Sequence, residues 1–168
     1  MTSKSSSDNK PIGVIGAGNF GSVVANLLSR QHKVLLYARD EKVVQRILDT
    51  RENRGYKMNS RVTPTNDLKY LAESCEVIFP IVPSAHFRSM MQKLSPHLHP
   101  YHILIHGTKG LDITLPKGQT IDTVSKLSRD QVKTMSEVIR EESVVVRVGC
   151  LAGPTLSKAL AERHPAAT

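Results

Sequence analysis

Tryptophan is absent from the 168 residues, and three phenylalanines and four tyrosines bring the aromatic share to only 4%. A nucleic-acid surface that works by base stacking needs aromatic platforms, and none is laid out along this chain. The formal charge of +8 would otherwise point to such a partner, but the lysines and arginines are scattered, with no basic run longer than two. Small anions such as phosphorylated metabolites account for the charge equally well, as does an ordinary solvated surface. Cysteine is scarce too. Cys75 and Cys150 lie far apart without a CxxC partner, which argues against a disulfide framework or a cysteine zinc site. Cys150, following the β-branched run 144–148, is expected as a small buried hydrophobe. No apolar run approaches the ~20 residues of a membrane span. The opening "MTSKSSSDNKP" has no apolar core of the kind a secretory signal needs. The expectations are a disordered leader over 1–10, no integral membrane segment, no nucleic-acid partner and cytoplasmic residence.

What is present is alternation. Short β-rich runs are expected as strands near 11–16, 33–38, 76–82, 102–107 and 144–151, with a weaker one at 61–63. Helices are expected over 20–30, 41–50, 67–73, 84–94, 131–142 and 155–163. "KVLLYA" and "HILIHG" are continuously apolar rather than alternating, as in strands covered on both faces. Strand–helix alternation with right-handed crossovers predicts an α/β fold with a doubly wound, mostly parallel sheet. One domain, 11–168, fits the length. The stretch 111–130 reads as a mostly irregular loop, and "HPAAT" (164–168) as the start of a further strand, cut short.

Gly16, Gly18 and Gly21 form GxGxxG directly after the first strand and at the opening of a helix. In that context the spacing has a mechanism. The first glycine permits a tight turn, the second a close approach of backbone to a pyrophosphate, and the third close packing of helix on strand. Helix-start amides and the helix dipole then face the anion. The second strand ends "LLYARD". Where NAD-preferring proteins place an acid for the ribose hydroxyls, this chain has Tyr37 with Arg39 just beyond. A guanidinium attracts a 2′-phosphate, so NADP(H) is preferred, NAD(H) being the alternative through Asp40.

Three further stretches follow in order: "IVPSAHFR" (81–88), "HGTKGL" (106–111) and "LAGPTLSKALAERHPAA" (151–167). With "GAGNFG" ahead of them, the chain resembles the N-terminal domain of bacterial-type NAD(P)-dependent glycerol-3-phosphate dehydrogenases from Ile12 to Thr168. The resemblance implies reversible reduction of dihydroxyacetone phosphate to sn-glycerol 3-phosphate, the glycerophospholipid backbone. It implies cofactor contacts at Asn19, Phe20, Arg39, Tyr56, Lys109 and Ser157, and substrate contacts at Lys109, Gly153 and Thr155. Phe20 stands where the family often has tryptophan, Ser157 for a usual alanine, Ala159 for a usual glutamate, and "YKM" for the usual "YLP" after Tyr56. No catalytic group is expected within this chain. The resemblance places the proton-donating lysine beyond Thr168, in a helical C-terminal domain missing here, through which a homodimer would form.

The residues themselves also single out Lys109, just past the carboxyl end of a strand, where open α/β sheets bind ligands. Gly107 and Gly110 bracket it, and an ammonium there can pair with a phosphate or polarise a carbonyl. A solvated loop lysine is the plain alternative, as a simple helix start is for Gly153-Pro154-Thr155. His97 and His99 have no third ligand in sight, so no metal is expected. His106 is close enough to Lys109 to line the cleft but reads first as a satisfied strand-end histidine. The competing functions are a 3-hydroxyacid or ketopantoate type dehydrogenase and a non-catalytic dinucleotide-binding regulatory module.

Overall fold

A computed structural model describes residues 10–116, 118–124, 126–153 and 157–162. The elements are β1 (Ile12–Ile15), α1 (Asn19–Leu28), β2 (Val34–Tyr37), α2 (Glu41–Thr50), β3 (Glu52–Asn53), β4 (Tyr56–Lys57) and β5 (Val62–Thr65). They continue with α3 (Leu68–Ser74), β6 (Val77–Pro80), α4 (Ser84–Leu94), β7 (Ile103–His106), β8 (Asp112–Ile113), β9 (Val132–Lys133), α5 (Met135–Glu142), β10 (Arg147–Cys150) and α6 (Ser157–Ala161).

Six strands form one sheet in the order β10-β7-β6-β1-β2-β5, parallel throughout. Each strand sends alternate residues to opposite faces, and helices cover both. Val14, Val34, Leu36 and Val62 pack with Val24 and Ala25 of α1 and Ile47 of α2. Ile15, Leu35, Ile78 and Leu104 pack on the other face with Leu71 of α3, Phe87 and Met91 of α4 and Ile139 of α5. That two-sided burial is why inner strands such as β2, Val-Leu-Leu-Tyr, read as continuously apolar. Pro64 is tolerated because β5 is an edge strand. From β1 the chain adds β2 and β5 on one side and then crosses back to add β6, β7 and β10 on the other, so the strand order reverses between β1 and β6, and such a switch point opens a crevice at the carboxyl ends of the strands.

Helix starts follow from local chemistry. The Asp40 carboxylate accepts the Lys42 amide at 2.9 Å to cap α2, and Asp67 accepts the Tyr70 amide at 2.9 Å to cap α3. Thr134 and Glu137 form a reciprocal capping box on α5, each such cap being worth about 1 kcal/mol. His102 is fully buried, its Nδ1 accepting the His99 amide at 2.8 Å and its Nε2 lying 3.0 Å from the Ala72 carbonyl. These contacts tie the ring into the structure at the base of β7.

The mostly irregular stretch 111–130 carries Asp112–Ile113, which pairs antiparallel with Val132–Lys133, and short 3-10 turns at Ile121–Thr123 and Arg129–Gln131. Two expectations need correction. The helix expected from 131 begins only at Met135, because Thr134 supplies the cap. Cys150 is exposed rather than buried, since β10 is an edge strand with a single neighbour. Cys75 is the buried one, and burial pushes its thiol up to about 12. Both are free. No described helix is long and apolar enough to cross a membrane. Residues 1–9 of the leader expected over 1–10, and the strand start at 164–168, lie outside the described residues.

Candidate dinucleotide site

Two glycines of the first turn are required by the protein itself. Gly16 has φ +119°, and a Cβ there would sit 2.0 Å from the Ile81 carbonyl oxygen. A Cβ on Gly21 would sit 1.8 Å from the Gly16 carbonyl oxygen. Gly18 is different. Its φ of −79° and ψ of −174° are ordinary extended backbone, and a Cβ there would meet nothing within 4 Å. No intramolecular contact demands glycine at this position, and open space stands over the amino end of α1, the place where backbone amides bind anions.

That space belongs to a cleft of about 390 Å³ lined by Gly16 and Gly18, by Arg39 and Asp40 beyond β2, by Arg54, and by Lys93 of α4. Three cations thus face one carboxylate, and that carboxylate already caps α2. Tyr37 also lines the cleft; burial pushes its phenol above the ordinary range, with Arg39 opposing and Asp67 adding to the shift.

Arg54 arrives on an unusual turn. β3 and β4 pair through a two-residue loop, Arg54–Gly55, with φ of 53° and 79°. Positive φ at both positions is a type I′ turn, which favours Asn-Gly. A non-glycine residue held there costs about 1–3 kcal/mol. The turn is fixed by Asn53, 1% exposed, whose Nδ2 donates to the Ala17 carbonyl at 2.9 Å and to Ser22 Oγ at 2.8 Å. Asn53 Oδ1 accepts from Arg46 Nη2 at 2.7 Å, and Ser22 Oγ donates to the Gly18 carbonyl at 2.7 Å. The hairpin is therefore bolted to the glycine turn.

The second loop of interest leaves β7. The Gly107 amide donates to the Pro80 carbonyl at 3.0 Å, and the Phe20 ring lies 3.0 Å from where a Gly107 Cβ would be. Thr108 Oγ1 donates to the Val82 carbonyl at 2.7 Å. Gly110 has φ +115°, and a Cβ there would approach Ser84 Oγ to 2.9 Å. Arg88 of α4 holds the far end, bonding Asp112 at 2.8 Å, Glu141 at 2.9 Å and also Glu142. Lys109 is exposed at the middle of this anchored loop, whose Gly107 lies against Phe20 in the first turn of α1. His106 closes β7, 5% exposed, with Nε2 at 2.9 Å from Ser136 Oγ and Nδ1 buried without a hydrogen-bond partner. Burial lowers its pKa, with the Thr108 backbone opposing.

Among the expected site residues, Gly16, Gly18 and Arg39 line the cleft, and Asn19, Phe20 and Gly21 form the first turn of α1. Tyr56 lies half-buried on β4 and does not line the cleft; its neighbour Arg54 does. Gly153 is exposed at φ +138°, and Ser157 opens α6, which packs on α1. Thr155 lies outside the described residues. Asn53, Arg54, Lys93 and Thr108 were not expected; only "NRG" between polar flanks signals the hairpin turn that carries Arg54. No group of three or more His, Cys, Asp or Glu among the described residues could hold a metal.

Residues 11–168 match the family model described as NAD-dependent glycerol-3-phosphate dehydrogenase N-terminus. A glycerol-3-phosphate dehydrogenase (NAD(P)+) of Pseudomonas savastanoi is 33% identical over 166 residues, covering 95% of this chain and 43% of that protein. The crystal structure of glycerol-3-phosphate dehydrogenase from Coxiella burnetii superposes with a TM-score of 0.76 at 25% identity, over 94% of this chain and 45% of that one. A ketopantoate reductase from Ralstonia eutropha superposes with a TM-score of 0.62 at 17% identity, over 87% of this chain and 42% of that one, a likeness of fold alone. The chain spans less than half the length of the curated relatives it matches.

Proposed function

The chain belongs to the NAD-dependent glycerol-3-phosphate dehydrogenase family through the N-terminal part of that family, and from that membership we propose that it binds NADP(H) in the switch-point cleft for reversible reduction of dihydroxyacetone phosphate to sn-glycerol 3-phosphate. The observation that carries the reading is Gly18, a glycine that nothing in the protein requires, set beneath open space at a helix start. A pyrophosphate is the ligand that such a position admits and any side chain would exclude. Asn19 and Phe20 flank it, and Arg39 supplies the cation for a 2′-phosphate at the end of β2. When bound, the cofactor's nicotinamide supplies the hydride.

Lys109 holds the substrate phosphate or carbonyl beside that ring, on a loop fixed by Thr108, Gly110 and Asp112. Gly153 and Thr155 complete the substrate contacts, and the proton comes from a lysine beyond Thr168. The product is the glycerophospholipid backbone. Two free cysteines accord with a reducing, cytoplasmic setting. The test is to titrate the purified chain with NADPH and follow nicotinamide fluorescence. Saturable one-to-one binding is expected, and absence of binding overturns the reading.

A further inference from the structure

We propose that Arg54 is a specificity-determining residue that joins Arg39 in gripping the phosphate on the 2′ position of the adenosine ribose, so that the cleft selects NADP(H). The inference rests on the reading of the cleft as a dinucleotide site. A phosphate monoester carries a charge of about −1.5 to −2 at neutral pH. Arg39 alone, with the Asp40 carboxylate next in sequence, leaves that charge largely uncompensated. A second guanidinium matches it, and its planar fork suits bidentate contact with phosphate oxygens.

The backbone supplies the independent argument. At the first position of a type I′ turn, glycine, asparagine or aspartate would fit with little strain, yet this turn holds an arginine at φ 53°. Strained residues of this kind persist where the surroundings over-determine them, and they cluster at ligand clamps. Here Asn53 over-determines the turn by locking it to Ala17 and Ser22. The lock also sets Arg54 on the cleft that Gly18 and Arg39 line, and the adenosine ribose lies beyond the second strand of this fold. Arg54 lines the cleft and forms no salt bridge among the described residues, so no intramolecular partner accounts for it. Lys93 lines the same cleft, but it sits in the last turn of α4, where a cation complements the helix dipole without any ligand.

The experiment measures dissociation constants for NADPH and NADH, by direct titration, on the parent chain, Arg54→Asn and Arg54→Lys, together with their melting temperatures. Competition by 2′,5′-ADP and 5′-AMP isolates the adenosine end. Arg54→Asn is expected to weaken NADPH and 2′,5′-ADP by about ten-fold or more, the scale of a charge-assisted bond. NADH and 5′-AMP should change by less than about two-fold, as expected for groups that lack the phosphate. The melting temperature should hold or rise, because asparagine suits the turn, and Arg54→Lys should recover part of the NADPH affinity. Equal losses for both dinucleotides, or unchanged NADPH affinity, overturn the proposal, as does a lowered melting temperature accompanying losses of both. A parent that binds NADPH no more tightly than NADH overturns the proposal while the cleft reading stands. A parent that binds neither dinucleotide removes both.

Discussion

The glycines of the first turn have separable duties, and substitution distinguishes them. A Cβ on Gly21 collides with backbone at 1.8 Å, whereas one on Gly18 meets nothing. Gly21→Ala should therefore destabilise the fold by roughly 1–3 kcal/mol, an overpacking cost. Gly18→Val should leave the urea midpoint near the parent value, as surface substitutions do, yet abolish NADPH binding. A Gly18→Val protein that titrates NADPH fluorescence like the parent would show that the pyrophosphate lies elsewhere. His106 gives a second prediction at this scale. Its folded pKa lies below the ordinary 6.5 because burial disfavours the charged ring. In the unfolded chain the ring therefore takes up a proton first, so stability is full above about pH 6.5 and falls as pH drops below it. Urea midpoints should decline across that range, and His106→Leu should flatten the decline; an unchanged slope would locate the titration in another group. That Gly16, Gly18 and Arg39 meet at one cleft was legible in sequence because the signals are local. That Arg54 joins them was not, because it depends on a hairpin turn at positive φ that only the structure reveals.

At the scale of elements, five of the six sheet strands were legible from β-rich runs, while the edge strand β5, Val-Thr-Pro-Thr, showed only as a weaker run at 61–63. The pairs β3–β4 and β8–β9 were not, since two-residue strands have no periodicity to read. Yet the second pair positions the Lys109 loop, through Asp112 and the Arg88 cluster. That cluster sets one guanidinium against Asp112, Glu141 and Glu142, with Arg88 side-chain exposure of 28%. Lys133 and Arg88 together hold the Glu141 carboxyl below the ordinary carboxylate range. Removing the arginine leaves three carboxylates facing one another. Arg88→Met should destabilise by about 1–2 kcal/mol at neutral pH, between the values for exposed and buried pairs. The sign of the pH dependence follows. Carboxylates with depressed folded pKa values stabilise above their ordinary value and lose that contribution as pH falls through the folded one. The gap between parent and variant should therefore narrow below about pH 4.5, the ordinary glutamate value. Denaturant midpoints at several pH values measure it, and a gap that widens on acidification would contradict the ion-pair account. Amide exchange over 107–112 should quicken in the same variant, because the loop loses its anchor.

For the molecule as a whole, binding and turnover should come apart. On the proposed reading the cleft at the carboxyl edge of the sheet takes the dinucleotide, but reducing a ketone also requires a proton on the developing alkoxide. Lys109, proposed to hold the substrate, is exposed on a loop anchored by Thr108 and Asp112, and Arg39, Arg54 and Gly153 are exposed as well. Water around these groups keeps the dielectric high and weakens each electrostatic contribution. A positioned proton donor is worth roughly 10²–10⁴-fold in rate. The 168-residue chain, saturated with NADPH and supplied with dihydroxyacetone phosphate, should therefore oxidise the cofactor at least about 10²-fold more slowly than a full-length relative assayed beside it at equal cofactor occupancy. Loss of absorbance at the reduced-nicotinamide band measures both. Comparable rates would show that the catalytic groups lie within these residues, and Lys109 would then have to donate the proton as well as hold the substrate.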